Sequence, residues 1–376
     1  MPSLSLKAII AILGLSCLAP SAVFAQGFKQ TNLVTDDQSV HSALLTDPLL
    51  KNVWGISYAG KGAFWVSNNG SSTSTLYNVS PVTNAPALNS LVVNIPGDGS
   101  VTGQVFNGTS GFGGDPFLFV SEDGTISGWK PGLNPNISNS TQVFQTGSNA
   151  NVYKGSAIAT VGGHTYLYAA NFRTGAIDVL GGDALAPALP GAFHDPSVPD
   201  GYAPFNVQNL KGAIYVTYAK QDAKKHDEED GAGSGYVAKF DSSGNLISHL
   251  VSGGKLNAPW GLALAPASFG TYAGDLLTGN FGDGHISAFD PLTGAFAGQL
   301  TDDFNNPLAI DGLWAITPGN DGQAGSSNTL FFSAGPNGEA HGLFGSISAV
   351  PEPGQFSLIA AAFFASSAVL LKRRKK

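Results

Sequence analysis

The stretch Asn257-Ala258-Pro259-Trp260-Gly261-Leu262-Ala263, followed by Asp275-Leu276-Leu277-Thr278-Gly279-Asn280 and then His285-Ile286-Ser287-Ala288-Phe289-Asp290, carries the reading of the fold. Its three short runs of apolar and β-branched residues are separated by Gly, Asn and Asp turns, so they read as consecutive antiparallel strands. The same triplet recurs along the chain about every 50 residues, the spacing of propeller and solenoid repeats.

Upstream, Asn52-Val53-Trp54-Gly55-Ile56-Ser57 leads to Phe64-Trp65-Val66-Ser67 and Ser74-Thr75-Leu76-Tyr77-Asn78-Val79. Strand pairs follow at 117–120 with 125–129, at 165–169 with 176–180, and at 213–217 with 236–241. Downstream, a sixth unit runs from Asp311-Gly312-Leu313-Trp314-Ala315-Ile316 through 329–333 to 345–348. Leu91-Val92-Val93 and Leu246-Ile247-Ser248 supply fourth, outer strands. Alternation has period two, and no segment before residue 356 sustains a long helical period. The expected fold is all-β, a six-bladed β-propeller over residues 26–349 built from four-stranded blades. A pair of β-sandwiches is the alternative.

Composition agrees. Charged residues make up 12% of the 376, while Gly numbers 49 and aromatics reach 10%, which favours short strands and tight turns. The formal net charge is −8, and the one basic cluster outside the C-terminus, Lys224-Lys225, adjoins an acidic run. This argues against nucleic acid as a partner.

The two ends read as addresses. Residues 1–25 have Lys7, an apolar stretch from Ala8 to Leu18, and Val23-Phe24-Ala25 before Gln26, the pattern of a secretory signal peptide. Cys17, the sole cysteine, lies within it next to a weak lipoprotein-like box, so the mature chain is expected to have no disulfide and no thiol chemistry. At the other end, Val350-Pro351-Glu352-Pro353 precedes the uncharged run Phe356 to Leu371 and the basic end Lys372-Arg373-Arg374-Lys375-Lys376. Sixteen residues span about 24 Å as a helix, short of the ~20 residues of a full membrane span. A plain anchor or a buried terminal helix are the simpler readings. The order of the three parts resembles the PEP-CTERM sorting signal of Gram-negative bacteria, over residues 350–376. That resemblance implies signal peptidase and exosortase as processing partners, a transient inner-membrane tether, and a cell-surface or extracellular destination.

The body resembles NHL and gluconolactonase-like six-bladed propellers in its repeat pattern. It is more similar still to an uncharacterised family of exported propellers that often carry this tail. The resemblance is carried by Asn52-Val53-Trp54-Gly55, by 64–70, by Thr217-Tyr218-Ala219-Lys220-Gln221-Asp222, by His226-Asp227, by 258–263, by Gly279-Asn280-Phe281-Gly282-Asp283-Gly284 and by 339–345. It implies a fold and brings no activity with it.

Two groups of residues could carry chemistry. Asn52, Asn107, Asn206, Asn257 and Asp311, read as lying near the starts of the inner strands, could ring the channel and offer hard oxygen ligands to Ca²⁺. The simpler reading is that they satisfy backbone groups at turns. His226-Asp227-Glu228-Glu229-Asp230, Asp283, and Glu339 with His341 fall on loops between second and third strands of blades four to six, where His and carboxylates, His226, Asp227, Asp283, Glu339 and His341 above all, could bind Zn²⁺ or Mn²⁺. A solvated acidic loop is the simpler reading there. Nucleotide-binding, zincin and serine-elbow motifs are absent. Trp54, Trp260 and Trp314 recur at one inner-strand position and suit packing between blades, whereas Trp65 and Trp129 could either pack or stack on sugars. The expected function is a non-catalytic surface propeller that binds a matrix component, either exopolysaccharide or a protein partner. The alternative is a metal-dependent hydrolase of lactonase type, using Ca²⁺ or Zn²⁺ in the channel.

Overall fold

The computed structural model describes residues 27–132 and 141–350. The signal peptide with Cys17, Pro351-Glu352-Pro353 and the apolar run after them lie outside the described residues. Among the described residues no helix is long and apolar enough to cross a membrane.

Six sheets, antiparallel except where the short Leu45–Thr46 pairs parallel with Phe28–Thr35, follow one another along the chain and form a six-bladed β-propeller. Blade one comprises Val53–Ser57, Phe64–Asn68, Thr73–Val79 and Pro86–Asn94. Blade two comprises Val101–Phe106, Phe117–Ser121, Ile126–Trp129 and Gln142–Gln145. Blade three has three strands among the described residues, Tyr153–Val161, His164–Asn171 and Ala176–Gly181. Blade four contains Tyr202–Leu210, Ala213–Gln221, Tyr236–Phe240 and Leu246–Ser252, with the short Glu228–Glu229 pairing back onto the second strand. Blade five contains Pro259–Leu264, Leu276–Asn280, Ile286–Phe289 and Phe296–Gln299.

Blade six is assembled from both ends of the described chain. Leu313–Pro318, Leu330–Ala334 and Leu343–Ala349 are completed by Phe28–Thr35, which pairs antiparallel with the last of them. The repeat pattern did not place this N-terminal strand. It closes the ring by backbone hydrogen bonds and removes the edge that Leu343–Ala349 would otherwise present.

The recurring small residues of the inner strands explain how the blades approach. A Cβ on Gly55 would stand 2.6 Å from Thr102 O of the next blade, and one on Gly103 would stand 2.6 Å from Ser156 N. On Gly155 it would stand 2.1 Å from Asn206 Oδ1, and on Gly261 2.8 Å from Trp314 O. These distances are too short for any side chain, so glycine lets neighbouring inner strands nearly touch. The three equivalent tryptophans fill the centre. Trp54 and Trp314 stack with ring centroids 3.4 Å apart, and Trp260 meets Trp54 edge-on at 6.1 Å. All three are buried in the central cluster. Trp65 and Trp129 are also buried, 5.0 Å apart, with Trp65 stacked on Phe117 at 3.8 Å. Of their two readings, packing is the one realised.

Candidate functional site at the channel mouth

One lysine organises the face formed by the loops between second and third strands. Lys154 sits near the start of the inner strand of blade three, and its side chain is only 1% exposed. Its Nζ donates to Glu122 Oε1 of blade two at 2.5 Å and to Asp227 Oδ1 of blade four at 3.3 Å. The ammonium also lies 5.1 Å from the Trp54 ring and 5.9 Å from that of Phe172, a favourable placement over aromatic faces. Its backbone carbonyl accepts a hydrogen bond from Trp260 Nε1 at 3.2 Å, so the tryptophan floor and the lysine are held together.

The surrounding groups interlock across blades. Asn69 Nδ2 donates to Glu122 Oε2 at 3.0 Å, and Asn52 Nδ2 donates to Glu339 Oε2 at 2.6 Å. The Asn52 Oδ1 accepts from Trp54 Nε1 at 3.2 Å and from Trp314 Nε1 at 3.3 Å. Both Asn52 (φ 44°) and Glu339 (φ 68°) have left-handed backbone, a conformation that costs free energy for residues other than glycine. Each is fixed by the side-chain bond to the other. His226 Nδ1 lies 2.8 Å from Asp227 Oδ1.

Electrostatics follow from this crowding. Burial opposes the charge on Lys154, but Glu122, Glu228 and Asp227 outweigh it and raise the ammonium above its ordinary pKa. Burial pushes Glu228 up to about 7 despite the pull of Lys154, with Glu339 and Asp227 adding to the rise. Glu339 is likewise raised, chiefly by burial, against the Asn52 hydrogen bond. Asp227 is held below its usual range because Lys154 and His226 overcome its desolvation. The result is an acidic cup of four carboxylates, Glu122, Asp227, Glu228 and Glu339, around one buried ammonium.

The residues expected from the sequence are only partly gathered here. Of the Asn/Asp set, Asn52 reaches the cup. Asn107 follows the inner strand of blade two rather than preceding it, and its Nδ2 donates to Gly111 O and Asp115 O. Asn206 Nδ2 donates to Trp260 O, Asn257 Oδ1 accepts from Gly231 N, and Asp311 Oδ2 accepts from Asn337 N. These four therefore satisfy backbone groups. Of the second set, His226, Asp227 and Glu339 belong to the cup. Asp283 is engaged by Asn280 Nδ2 and His285, and His341 Nδ1 lies 3.0 Å from Asp36 Oδ2. Glu228, in the acidic run after His226-Asp227, belongs to the cup as well, whereas Glu122 and Lys154 stand outside both sets. The signal for Lys154 was a lone cation in an otherwise small and apolar inner strand, Tyr153-Lys154-Gly155-Ser156-Ala157-Ile158. For metal binding, one ligand atom each from Glu122, His226 and Asp227 fall within 4.8 Å of one another.

No family model matches the chain. It is 32% identical over 322 residues to the uncharacterized protein R648 of Acanthamoeba polyphaga mimivirus, covering 82% of this chain and 77% of that protein. It is 30% identical over 320 residues to the uncharacterized protein L690 of the same virus, covering 80% and 81%. Among solved structures, a glucose dehydrogenase superposes with a TM-score of 0.51 at 10% identity, over 86% of this chain and 100% of that one. At that identity the likeness concerns the propeller fold alone. The chain belongs to the family that includes R648 and L690.

Proposed function

We propose that the protein is an exported propeller, displayed at or released from the cell surface, that binds a hydroxyl-rich matrix component such as exopolysaccharide in the cup around Lys154. The observation that carries this reading is the excess of acceptors. Glu122, Asp227, Glu228 and Glu339 come from three blades and surround a single ammonium. Sugar hydroxyls donate to carboxylates in charge-assisted hydrogen bonds, while Lys154 keeps the cup from repelling itself apart. The export step rests on residues 1–25 and on the PEP-CTERM-like order from Val350 to Lys376, with signal peptidase and exosortase as processing partners. A glycan array is the test. Binding to acidic or neutral polysaccharide that weakens tenfold or more in Glu122→Gln and Glu339→Gln supports the reading, and a uniformly blank array sinks it. Intact-mass measurement of the secreted form tests the address, and retention of Lys372–Lys376 on that form would count against processing.

A second reading is a divalent-cation site, Ca²⁺ or Zn²⁺, on Glu122, His226 and Asp227. It is favoured by the 4.8 Å grouping of their ligand atoms. The ammonium of Lys154 already donates to two of these three residues, so an incoming ion would have to share or displace it. That competition is why the polysaccharide reading stands first. Metal in the purified protein at one equivalent, with a chelator lowering the melting temperature, would reverse the order.

A further inference from the structure

A second polar constellation lies away from the cup, on the outermost strand of blade four. His249 Nδ1 is 2.5 Å from Asp195 Oδ2, and His249 Nε2 is 2.5 Å from Ser252 Oγ. The Asp195 side chain is fully buried, that of His249 is 23% exposed, and Ser252 is exposed. We propose that Ser252, His249 and Asp195 form a nucleophilic triad that hydrolyses carboxylic esters at the rim of blade four.

The strand has to be irregular for these residues to meet. In a regular strand, residues three apart point to opposite faces, so His249 and Ser252 would diverge. Here Ser252 pairs with Tyr236, Val251 with Val237 and His249 with Ala238, which leaves Leu250 as an extra residue. The bulge restores His249 and Ser252 to one face, as β-bulges beside active sites re-aim side chains. Outer strands of blades one, two and five are also irregular, opposite Thr75/Tyr77, at Val143/Gln145 and opposite Ala288/Phe289, but Pro86–Asn94, Gln142–Gln145 and Phe296–Gln299 contain no histidine.

Each member is placed for its role. Asp195 Oδ1 accepts from Ser197 N at 2.9 Å and its carbonyl accepts from Val198 N, so the carboxylate cannot swing away. As an acceptor at Nδ1 it favours the tautomer with hydrogen there, leaving Nε2 to act as base toward Ser252. Tyr236 lies against the imidazole with centroids 5.9 Å apart. Four other His–Asp pairs occur among the described residues, His164–Asp183, His226–Asp227, His285–Asp283 and His341–Asp36. Among the described hydrogen bonds, only His249 also holds a serine hydroxyl on its second nitrogen. Beyond Ser252 the chain turns through Gly253 (φ 57°) and Gly254 (φ 63°). A Cβ on Gly254 would meet nothing nearer than Ser252 O at 4.0 Å. The Gly254 N–H donates to no acceptor among the described residues, so it is available to a developing oxyanion.

In the first step the Ser252 Oγ–H proton passes to His249 Nε2 as Oγ bonds to the ester carbonyl carbon. The carbon–alkoxy bond then breaks, and the alcohol leaves with that proton. Water attacks the acyl carbon, His249 takes its proton and returns it to Ser252, and the carboxylic acid departs. Asp195 orients the imidazole in both steps, and water is the sole co-reactant.

The test uses the purified protein and a biotinylated fluorophosphonate, with peptide mass spectrometry to locate the adduct. The expected result is labelling at Ser252 with displacement of fluoride, absent in Ser252→Ala and slowed about 100-fold or more in His249→Ala. Hydrolysis of p-nitrophenyl acetate should fall in parallel. Failure of the folded wild-type protein to label at Ser252, under conditions that label an authentic serine hydrolase, overturns the proposal. So does equal labelling of wild type and His249→Ala.

Discussion

Lys154 in the channel and His249 on the rim of blade four are both held by carboxylates, but the two arrangements are built on different scales. Around Lys154 the partners come from blades one, two, four and six, and the tryptophan floor adds blade five. Around His249 they come from one strand and the loop that leads into the same blade. The cup therefore depends on ring closure, and changes there should register in the stability of the whole propeller. The rim lies at the edge of one blade, and changes there should register in chemistry with little effect on the fold.

Lys154→Met should show the largest effect. It removes the ammonium but leaves Glu122, with a side chain 14% exposed, beside the other carboxylates. Breaking a buried ion pair from one side typically costs about 3–5 kcal/mol. The lower end is expected here because Asp227 is largely exposed and can be solvated. Urea denaturation would measure it, and adding Glu122→Gln to Lys154→Met should recover part of the loss. An unchanged midpoint in the single variant would mean that the cup is no more coupled than the rim.

The next effect in size is a pH dependence centred on Glu228. Its carboxyl is raised from 4.5 to about 7 in the folded protein, chiefly by burial. Between those values the unfolded chain has released this proton and the folded chain has not. The contribution is therefore fully present below about pH 4.5 and is lost as pH rises toward 7. Glu339 is raised as well and adds in the same direction. Glu228→Gln should flatten the fall in stability over pH 4.5–7 and raise the melting temperature at pH 8, with no gain at pH 4.5. A steeper fall in the variant would contradict the assignment of the titration to Glu228.

The same contrast of scale governs what could be read from the chain. The blades were legible because each strand triplet is local, and because Trp54-Gly55, Trp260-Gly261 and the aromatic second strands repeat in register. Phe28–Thr35 was not, since Lys29, Gln30, Thr31 and Asn32 give it a weak pattern and its partner Leu343–Ala349 lies at the other end of the described chain. In the cup, Asn52 is legible from its place before an inner strand, and His226, Asp227, Glu228 and Glu339 from their loops. Position on a loop does not decide direction, however, and Asp283 and His341 turn to His285 and Asp36 instead. Lys154 escaped because a lone lysine in a strand ordinarily faces solvent; its burial is intelligible only once Glu122 and Asp227 are seen to converge on it. His249 and Ser252 escaped for a sharper reason. Their spacing of three argues against a shared face, and only the extra residue at Leu250 reverses that inference.

Ser252→Ala should produce the smallest effect on stability and sharpens the contrast most. Ser252 is exposed at the end of an outer strand, and its hydroxyl is bonded to a histidine that keeps Asp195 as a partner without it. Substitutions at such positions usually fall within about 0.5 kcal/mol of wild type, so the urea midpoint should hardly move. Asp195→Ala should cost more, about 1–3 kcal/mol, because it leaves the Ser197 N–H without its side-chain acceptor and opens space where a buried carboxylate stood. A large loss in Ser252→Ala would make the serine a structural support and draw the rim toward the behaviour of the cup. Unchanged stability with abolished fluorophosphonate labelling would separate the two regions, one holding the ring together and the other free to react.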